Sequence, residues 1–161
     1  MERGRWDALF ADLEGELAGE YARDLDAEVR DRTRREHARL TLADRLRAHR
    51  GATVTARTTG GATVTGALTD ADRDWLLVGD TLVLRSAILA VTGLGPDATD
   101  PDTKPLTRPV GYALRAMSGP VTCAFTDGGT LTGRIERVGK DHVDVGGTTV
   151  PFRALATVRP A

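Results

Sequence analysis

An internal repeat constrains the fold of this chain more than any other feature. Shifted by 67 residues, segment 54–91 aligns without a gap with segment 121–158, and 14 of the 38 aligned residues are identical. The shared residues are mainly valines, threonines and turn glycines, which are typical of short strands joined by tight hairpins. Two similar units therefore make up most of the chain, either as two small barrels or as one barrel-like pseudo-dimer.

Each copy contains five segments in which apolar and polar residues alternate and which turn residues bound, as is typical of short strands. We predict these strands at 52–58, 63–68, 75–78, 81–84 and 88–91, and again at 121–125, 130–135, 143–145, 148–150 and 155–158. A short helix precedes each copy, since Leu46-Arg47-Ala48 matches Leu114-Arg115-Ala116 at a shift of 68. Thr41 and Asp44 have the spacing of a capping box that begins the first of these helices.

The predicted fold class is mainly β with an α-helical N-terminal arm, followed by two tandem five-stranded small barrels, each preceded by a short helix. We place the helical arm at 1–41, the first helix and barrel at 42–95, and the second helix and barrel at 109–161. Segment 96–108 is rich in proline and aspartate and has no packing pattern, which is typical of a linker.

The arm carries apolar residues at steps of three and four, which predicts an amphipathic helix from Arg5 to about Val29. Gly15 and Gly19 each disfavour a helix interior by about 1 kcal/mol relative to alanine. We therefore expect this helix to need a surface to lie on. Its candidate protein-interaction residues are Trp6, Leu9, Phe10, Leu13, Leu17 and Tyr21.

Charge is sorted along the arm, with nine acids against three arginines in residues 1–28 and eight arginines against three acids in residues 29–50. One interpretation is a solvated helix whose charges complement the helix dipole and form pairs four residues apart. The other is a basic segment that contacts nucleic-acid phosphates. Its candidate residues are Arg30, Arg32, Arg34, Arg35 and Arg39.

No catalytic, cofactor or metal signature stands out in the sequence. The three histidines lie in different segments, without a cysteine or carboxylate at ligand spacing. The single cysteine, Cys123, is equivalent to Ala56 in the first copy, which indicates a small core position. The aspartates near the hairpins, including Asp72, Asp74 and Asp80, are expected to form turns or to be solvated. We predict no enzyme, no cofactor and no metal.

Composition and targeting signals indicate the cellular compartment of this protein. The net charge is −1, so no global field attracts nucleic acid or an anionic membrane. A single cysteine suits a reducing compartment, and neither a signal peptide nor a membrane span is recognisable. We therefore expect a cytoplasmic protein with no membrane partner.

The order of a short helix, five strands, and an early turn followed by a glycine (GGATVTG, DGGTLTG) resembles Sm-like and SH3-like small barrels. The whole layout also looks like a group of actinobacterial proteins often labelled Fis family transcriptional regulators, although the C-terminal half reads as strands and not as a helix-turn-helix. RNA binding of the Sm type uses an asparagine after the acidic residue of the first motif. This chain contains no asparagine or glutamine.

Two functions follow as hypotheses. The first is a non-catalytic intracellular binding or scaffold protein that acts through protein–protein contacts of its helical arm and barrels, with a protein partner or a second copy. The alternative is a regulator that binds RNA or DNA through the arginine-rich segment 29–50.

Overall fold

The computed structural model describes residues 3–103 and 105–161. The chain divides into two compact units between Leu40 and Thr41, which we call the arm and the body. The arm is one helix, α1, over Arg3–Arg39, and the body begins with α2 over Leu42–Ala48. A third helix, α3, spans Val110–Arg115 and precedes the second copy of the repeat. Among the described residues, no helix is both long and apolar enough to cross a membrane.

All ten predicted strands are present, several of them longer than expected. In the first copy they are β1 Thr53–Thr58, β2 Thr63–Ala71, β3 Trp75–Val78, β4 Thr81–Leu84 and β5 Ile88–Thr92. In the second copy they are β6 Pro120–Phe125, β7 Thr130–Val138, β8 His142–Val145, β9 Thr148–Pro151 and β10 Leu155–Pro160. We refer to α2 with β1–β5 as repeat 1 and to α3 with β6–β10 as repeat 2.

The strands form one antiparallel sheet in the order β5-β1-β2-β3-β4-β10-β6-β7-β8-β9. Within each repeat the fifth strand pairs with the first, and the two repeats are joined where β4 pairs with β10. A mainly β fold with a helical arm is therefore confirmed. The sheet is open at β5 and β9, so the expectation of two closed barrels is not confirmed.

The body contains two clusters of buried apolar side chains. One is built from repeat 1 alone, with Leu46, Leu68 and Leu76 among its buried members. The other belongs mainly to repeat 2, but Trp75, Leu82 and Leu84 of repeat 1 are part of it. The core of repeat 2 is thus completed by side chains from the other copy.

Local sequence signals fix the ends of the body's elements. Thr41 and Asp44 form the predicted capping box: the Thr41 side chain accepts the Asp44 N–H, and the Asp44 carboxylate accepts the Thr41 N–H at 2.8 Å. At the first hairpin, Gly60 has φ +83°, and a Cβ there would lie 2.4 Å from the carbonyl oxygen of Phe125. Only glycine fits at this close approach of the two repeats.

Candidate functional site

The predicted protein-interaction residues all lie on α1 and are all exposed. No residue of this helix is buried, and the exposed fraction of its apolar side chains ranges from 45% at Leu13 to 70% at Tyr21. Leu25 and Val29 continue the series and are also exposed. Steps of four residues advance about 40° around a helix of 3.6 residues per turn, so this apolar stripe winds around α1. A surface that covered all of it would have to wind in the same sense.

The candidate nucleic-acid residues follow on the last turns of α1 and are exposed. Helical spacing divides them between two faces, with Arg32, Arg35 and Arg39 on one and Arg30 and Arg34 on the other. Ion pairs within the helix include Arg32 with Glu36 at 3.3 Å and Arg34 with Asp31 at 3.7 Å. One contact surface can therefore engage at most about three of these cations.

In the body, one polar cluster is centred on Arg108, just before α3. Its guanidinium donates two hydrogen bonds to the Asp70 carboxylate, from Nη1 at 2.8 Å and from Nη2 at 3.0 Å. Its Nε and its backbone N–H both donate to Oδ2 of Asp72, at 3.2 and 3.1 Å. Arg50 also pairs with Asp70, and Arg47 lies 3.6 Å from Asp72.

Two aromatic side chains complete the Arg108 cluster. The guanidinium carbon lies 5.0 Å from the centre of the Trp75 ring and 5.3 Å from that of Tyr112. The Trp75 indole N–H donates to the Arg108 carbonyl oxygen at 2.9 Å. Two carboxylates and two aromatic rings already surround the Arg108 guanidinium. We therefore infer that Arg108 joins the segment before α3 to repeat 1 and does not bind an anionic ligand.

The cluster shifts the titration of its two carboxyls. Burial alone would raise the pKa of Asp72, but hydrogen bonds from the Arg73 and Arg108 backbone and from the Arg108 side chain outweigh it, so the pKa is lowered. For Asp70, burial is again outweighed, mainly by the Arg108 side chain and the Ala71 N–H, and the pKa is also lowered. The pKa of Arg108 is raised, chiefly by its hydrogen bonds to Asp70.

Sequence reasoning did not find this cluster. Asp72 was expected to form a turn or to be solvated. It lies in the turn between β2 and β3, where its carboxylate accepts the Arg73 N–H at 2.7 Å. It is not solvated, since it is 3% exposed and paired with arginines. Arg108 lies in a segment without a packing pattern, so nothing local marked it. The repeat offered a signal, because Asp70 and Asp72 align with Arg137 and Gly139, which makes the acidic pair specific to one copy.

Two open grooves lie on the body. A groove of about 430 Å³ beside the Arg108 cluster separates the β3–β4 hairpin, with Leu77 and Leu82, from α3 and the turn that follows it, with Ala113 and Met117. A second groove of about 450 Å³ is lined by Arg85, Lys140, Arg153 and Phe152. Arg85 and Phe152 are equivalent positions of the two copies, so the second groove brings together residues that the repeat does not share.

The other candidate chemistry is accounted for by local contacts. Cys123 is fully buried, as its core position predicted, and burial raises the pKa of its thiol to about 11. His142 contacts the carboxylate of Asp141 at 2.9 Å. His49 contacts the Arg45 carbonyl through Nδ1 at 2.6 Å and the Gly95 N–H through Nε2 at 2.8 Å. Across 3–103 and 105–161, no three histidine, cysteine or acidic residues are grouped so that they could hold a metal ion.

Comparison with known proteins gives no relative. No protein-family model, no curated protein and no solved structure matches this chain. The resemblance to Sm-like and SH3-like barrels and to the actinobacterial group stays a prediction.

Proposed function

We propose that the protein is a non-catalytic cytoplasmic binding or scaffold protein that engages a partner protein through the apolar stripe of α1. The observation that carries this proposal is a helix of 37 residues with no buried residue and with large apolar side chains exposed along more than half of its length. A series of this kind on one helix is typical of recognition by a second helix or an apolar groove. Under this proposal the body acts as a folded platform of two small-barrel repeats.

Photo-crosslinking in the cells that express the full chain tests this proposal. A photoreactive amino acid replaces Leu17 on the stripe in one variant and Ala22, which is also exposed but lies about 140° from Leu17 around the helix, in the other. We expect discrete protein adducts from position 17 that are absent from position 22. The Leu13→Glu substitution should abolish these adducts, because it puts a charge into the same apolar contact.

Identical adducts from positions 17 and 22, or adducts at position 17 that persist with Leu13→Glu, would contradict the proposal. An adduct between two copies of the chain would identify the partner as the protein itself.

A second candidate function is binding of RNA or DNA, and the groove between the repeats favours it. Three cations, Arg85, Lys140 and Arg153, line that groove together with Phe152 and one carboxylate, Asp74. Cations beside an aromatic ring suit a single strand, whose phosphates and bases they contact. Helical spacing adds the face of Arg32, Arg35 and Arg39 as a separate phosphate-binding surface.

Salt titration separates these two surfaces. If nucleic acid binds, replacing Arg85 and Arg153 by alanine, or Arg32 and Arg35 by alanine, should each reduce the salt slope for single-stranded RNA by about one unit for every phosphate that is no longer neutralised. Substitution of Arg115, an exposed arginine outside both surfaces, is the matched control. Absence of binding to mixed RNA and DNA at low salt would exclude this candidate.

A further inference from the structure

The contact between the two repeats is a docking interface with a donor face and an acceptor face. The donor face is the outer side of β3 and β4, whose Trp75, Leu82 and Leu84 enter the core of repeat 2. The acceptor face is β10 with α3, and β10 pairs with β4 so that Val158 lies opposite Leu82 and Thr157 opposite Val83. Because the chain is duplicated, each face has an equivalent in the other repeat.

These equivalents lie at the two ends of the sheet. The equivalent of the donor face is β8–β9, and the equivalent of the acceptor face is β5 with α2. At a shift of 67, pairing between the β9 of one molecule and the β5 of another would place Val150 opposite Ala90 and Thr149 opposite Val91. Head-to-tail contacts of this kind generate rings or filaments unless something stops them.

The apolar anchors of the donor face are replaced in repeat 2. Trp75, Leu77, Leu82 and Leu84 align with His142, Asp144, Thr149 and Pro151. Thr149 and Pro151 are exposed, whereas Leu82 and Leu84 are at most 2% exposed. Polar side chains do not bind an apolar acceptor, and a proline lacks the N–H that a further strand would accept. The outer face of β8–β9 therefore cannot dock as β3–β4 does.

The acceptor face of repeat 1 is covered by the chain itself. On α3 and in the turn after it, Ala113 and Met117 face the β3–β4 hairpin across the groove; their equivalents at a shift of 68 are Arg45 and His49. Instead of a second hairpin, the backbone of Gly95 meets these two side chains. Arg45 Nη2 donates to its carbonyl at 2.7 Å, and its N–H donates to His49 Nε2 at 2.8 Å.

Further contacts hold the same segment in place. The N–H and the hydroxyl of Thr99 both donate to the Asp44 carbonyl, at 3.0 and 3.2 Å. Leu94 packs against the core of repeat 1. Residues 94–99 thus form a strap over α2. The strap lies at the positions whose equivalents in repeat 2, Ala113 and Met117, face the β3–β4 hairpin across the groove.

We propose that both outward docking faces of this protein are closed, one by polar replacement on β8–β9 and the other by the strap 94–99, so that the sheet ends after two repeats. The two devices act on different residues of different repeats, and each removes one half of the same interface. Growth of the sheet by head-to-tail addition of further copies is thereby blocked at either end. This inference is independent of the function proposed for α1.

Two variants of the full chain test the proposal. Each restores one of the two outward faces to the residues of its equivalent in the other repeat. A donor-open variant carries His142→Trp, Asp144→Leu, Thr149→Leu and Pro151→Leu, which restore the residues of repeat 1. An acceptor-open variant carries Arg45→Ala and His49→Met, which restore the residues of repeat 2 and remove both side-chain anchors of Gly95. It also carries Leu89→Ala, which places on β5 the residue that β10 has at the equivalent position, Ala156. Fluorescently labelled donor-open protein is titrated with unlabelled acceptor-open protein, and each variant is titrated with wild type as the mismatched control.

We expect the matched pair to associate at least ten times more tightly than either mismatched pair. Any association through α1 contributes equally to all of these titrations, so it cannot produce that difference. Equal affinities of matched and mismatched pairs, with both variants folded by circular dichroism, would overturn the proposal.

Cysteine crosslinking of otherwise wild-type protein gives a second test that does not depend on opening the faces. That register would place Thr149, which is exposed, opposite Val91, which is half-buried. A mixture of Val91→Cys and Thr149→Cys proteins should form no more mixed disulfide than a mixture of Val91→Cys with Arg134→Cys, whose residue 134 is exposed on β7. A mixed disulfide specific to the first pair would show that the faces are open and would overturn the proposal.

Discussion

Arg108 joins the segment before α3 to repeat 1 through contacts that no local sequence pattern predicts. It donates to two carboxylates of repeat 1, stacks against Trp75 and Tyr112, and stands directly before the helix of repeat 2. The sequence around it is a proline-rich linker, and only the tertiary structure brings Asp70 and Asp72 within reach. Hydrogen bonds to charged groups of this kind stabilise a fold by about 1.5–3 kcal/mol each.

Replacing Arg108 by alanine should lower the free energy of unfolding by about 2–3 kcal/mol, because it removes the guanidinium from Asp70 and from the buried Asp72. Asp72 then keeps Arg47, the Arg73 N–H and the backbone N–H of residue 108. The measurement is urea unfolding of wild type and variant at neutral pH. Arg115→Ala is the matched control. That arginine is exposed and donates to a backbone carbonyl, Val138, so its loss should cost less than about 1 kcal/mol. Equal costs at the two positions would contradict the structural role of Arg108.

Acidification should weaken the same cluster. The pKa values of Asp70 and Asp72 are lowered in the folded chain, so their contribution to stability is fully present above the ordinary carboxyl pKa of 3.8. It is lost as pH falls through the lower, folded values. We expect the free energy of unfolding to fall more steeply below about pH 4 in wild type than in Asp72→Asn, as measured by urea unfolding between pH 7 and pH 3. Parallel pH profiles of the two proteins would be inconsistent with this account.

Among the elements, α1 contains two glycines that lower its helix propensity. Gly15 and Gly19 lie inside the helix, and a Cβ at Gly15 would meet no atom within 4 Å, while one at Gly19 would meet only the end of the Arg23 side chain at 3.7 Å. Neither glycine is therefore required by a close contact within the described structure. The helix of 37 residues therefore has two positions in its acidic half at which glycine lowers helix propensity without serving a contact.

Gly15→Ala with Gly19→Ala should stabilise α1 by about 1–2 kcal/mol in total, because alanine loses less backbone freedom on entering a helix. Hydrogen exchange of the amides between residues 10 and 25 should slow, and the melting of the body should not change. Gly60→Ala provides the contrast, since its positive φ and its 2.4 Å approach to Phe125 predict destabilisation of the body. Unchanged exchange in α1 would mean that its backbone is fixed by something other than helix propensity.

At the scale of the whole molecule, repeat 2 depends on repeat 1 for part of its core, and repeat 1 does not depend on repeat 2 in the same way. The core of repeat 1 is built from its own residues, whereas that of repeat 2 includes Trp75, Leu82 and Leu84 from the other copy. Burial of one large apolar side chain contributes about 1.5–3 kcal/mol. A domain as small as one repeat has a low free energy of unfolding, since small domains bury a low fraction of their surface.

A fragment of residues 109–161 should consequently be unfolded on its own, while residues 41–161 should fold. Circular dichroism and the dispersion of amide resonances distinguish the two outcomes. The fragment 109–161 should gain structure when residues 41–108 are supplied in trans, because β4 then pairs with β10 again. A folded, monomeric 109–161 would show that repeat 2 needs nothing from repeat 1.

Much of this fold could be read from the sequence. The repeat, the ten strands, the capping box at Thr41 and the core position of Cys123 all follow from local patterns, because strand alternation, turn glycines and helix caps act between residues close in the chain. The six stripe residues, from Trp6 to Tyr21, lie exposed on α1, and their role in protein contacts stays a prediction. The alignment of the copies also pairs Trp75 with His142, but the consequence of that difference follows only from the packing of Trp75 in the core of repeat 2.

The tertiary structure alone decided how the copies meet. Pairing of β4 with β10, the entry of Trp75 into the core of repeat 2, the burial of Asp72 beneath Arg108 and the strap on Arg45 and His49 all join residues more than 30 positions apart. Such contacts depend on which sheet edge is left free and which surface lies opposite it, and no local propensity encodes either. The duplicated sequence determined two similar units, and packing between them determined that one sheet runs through both.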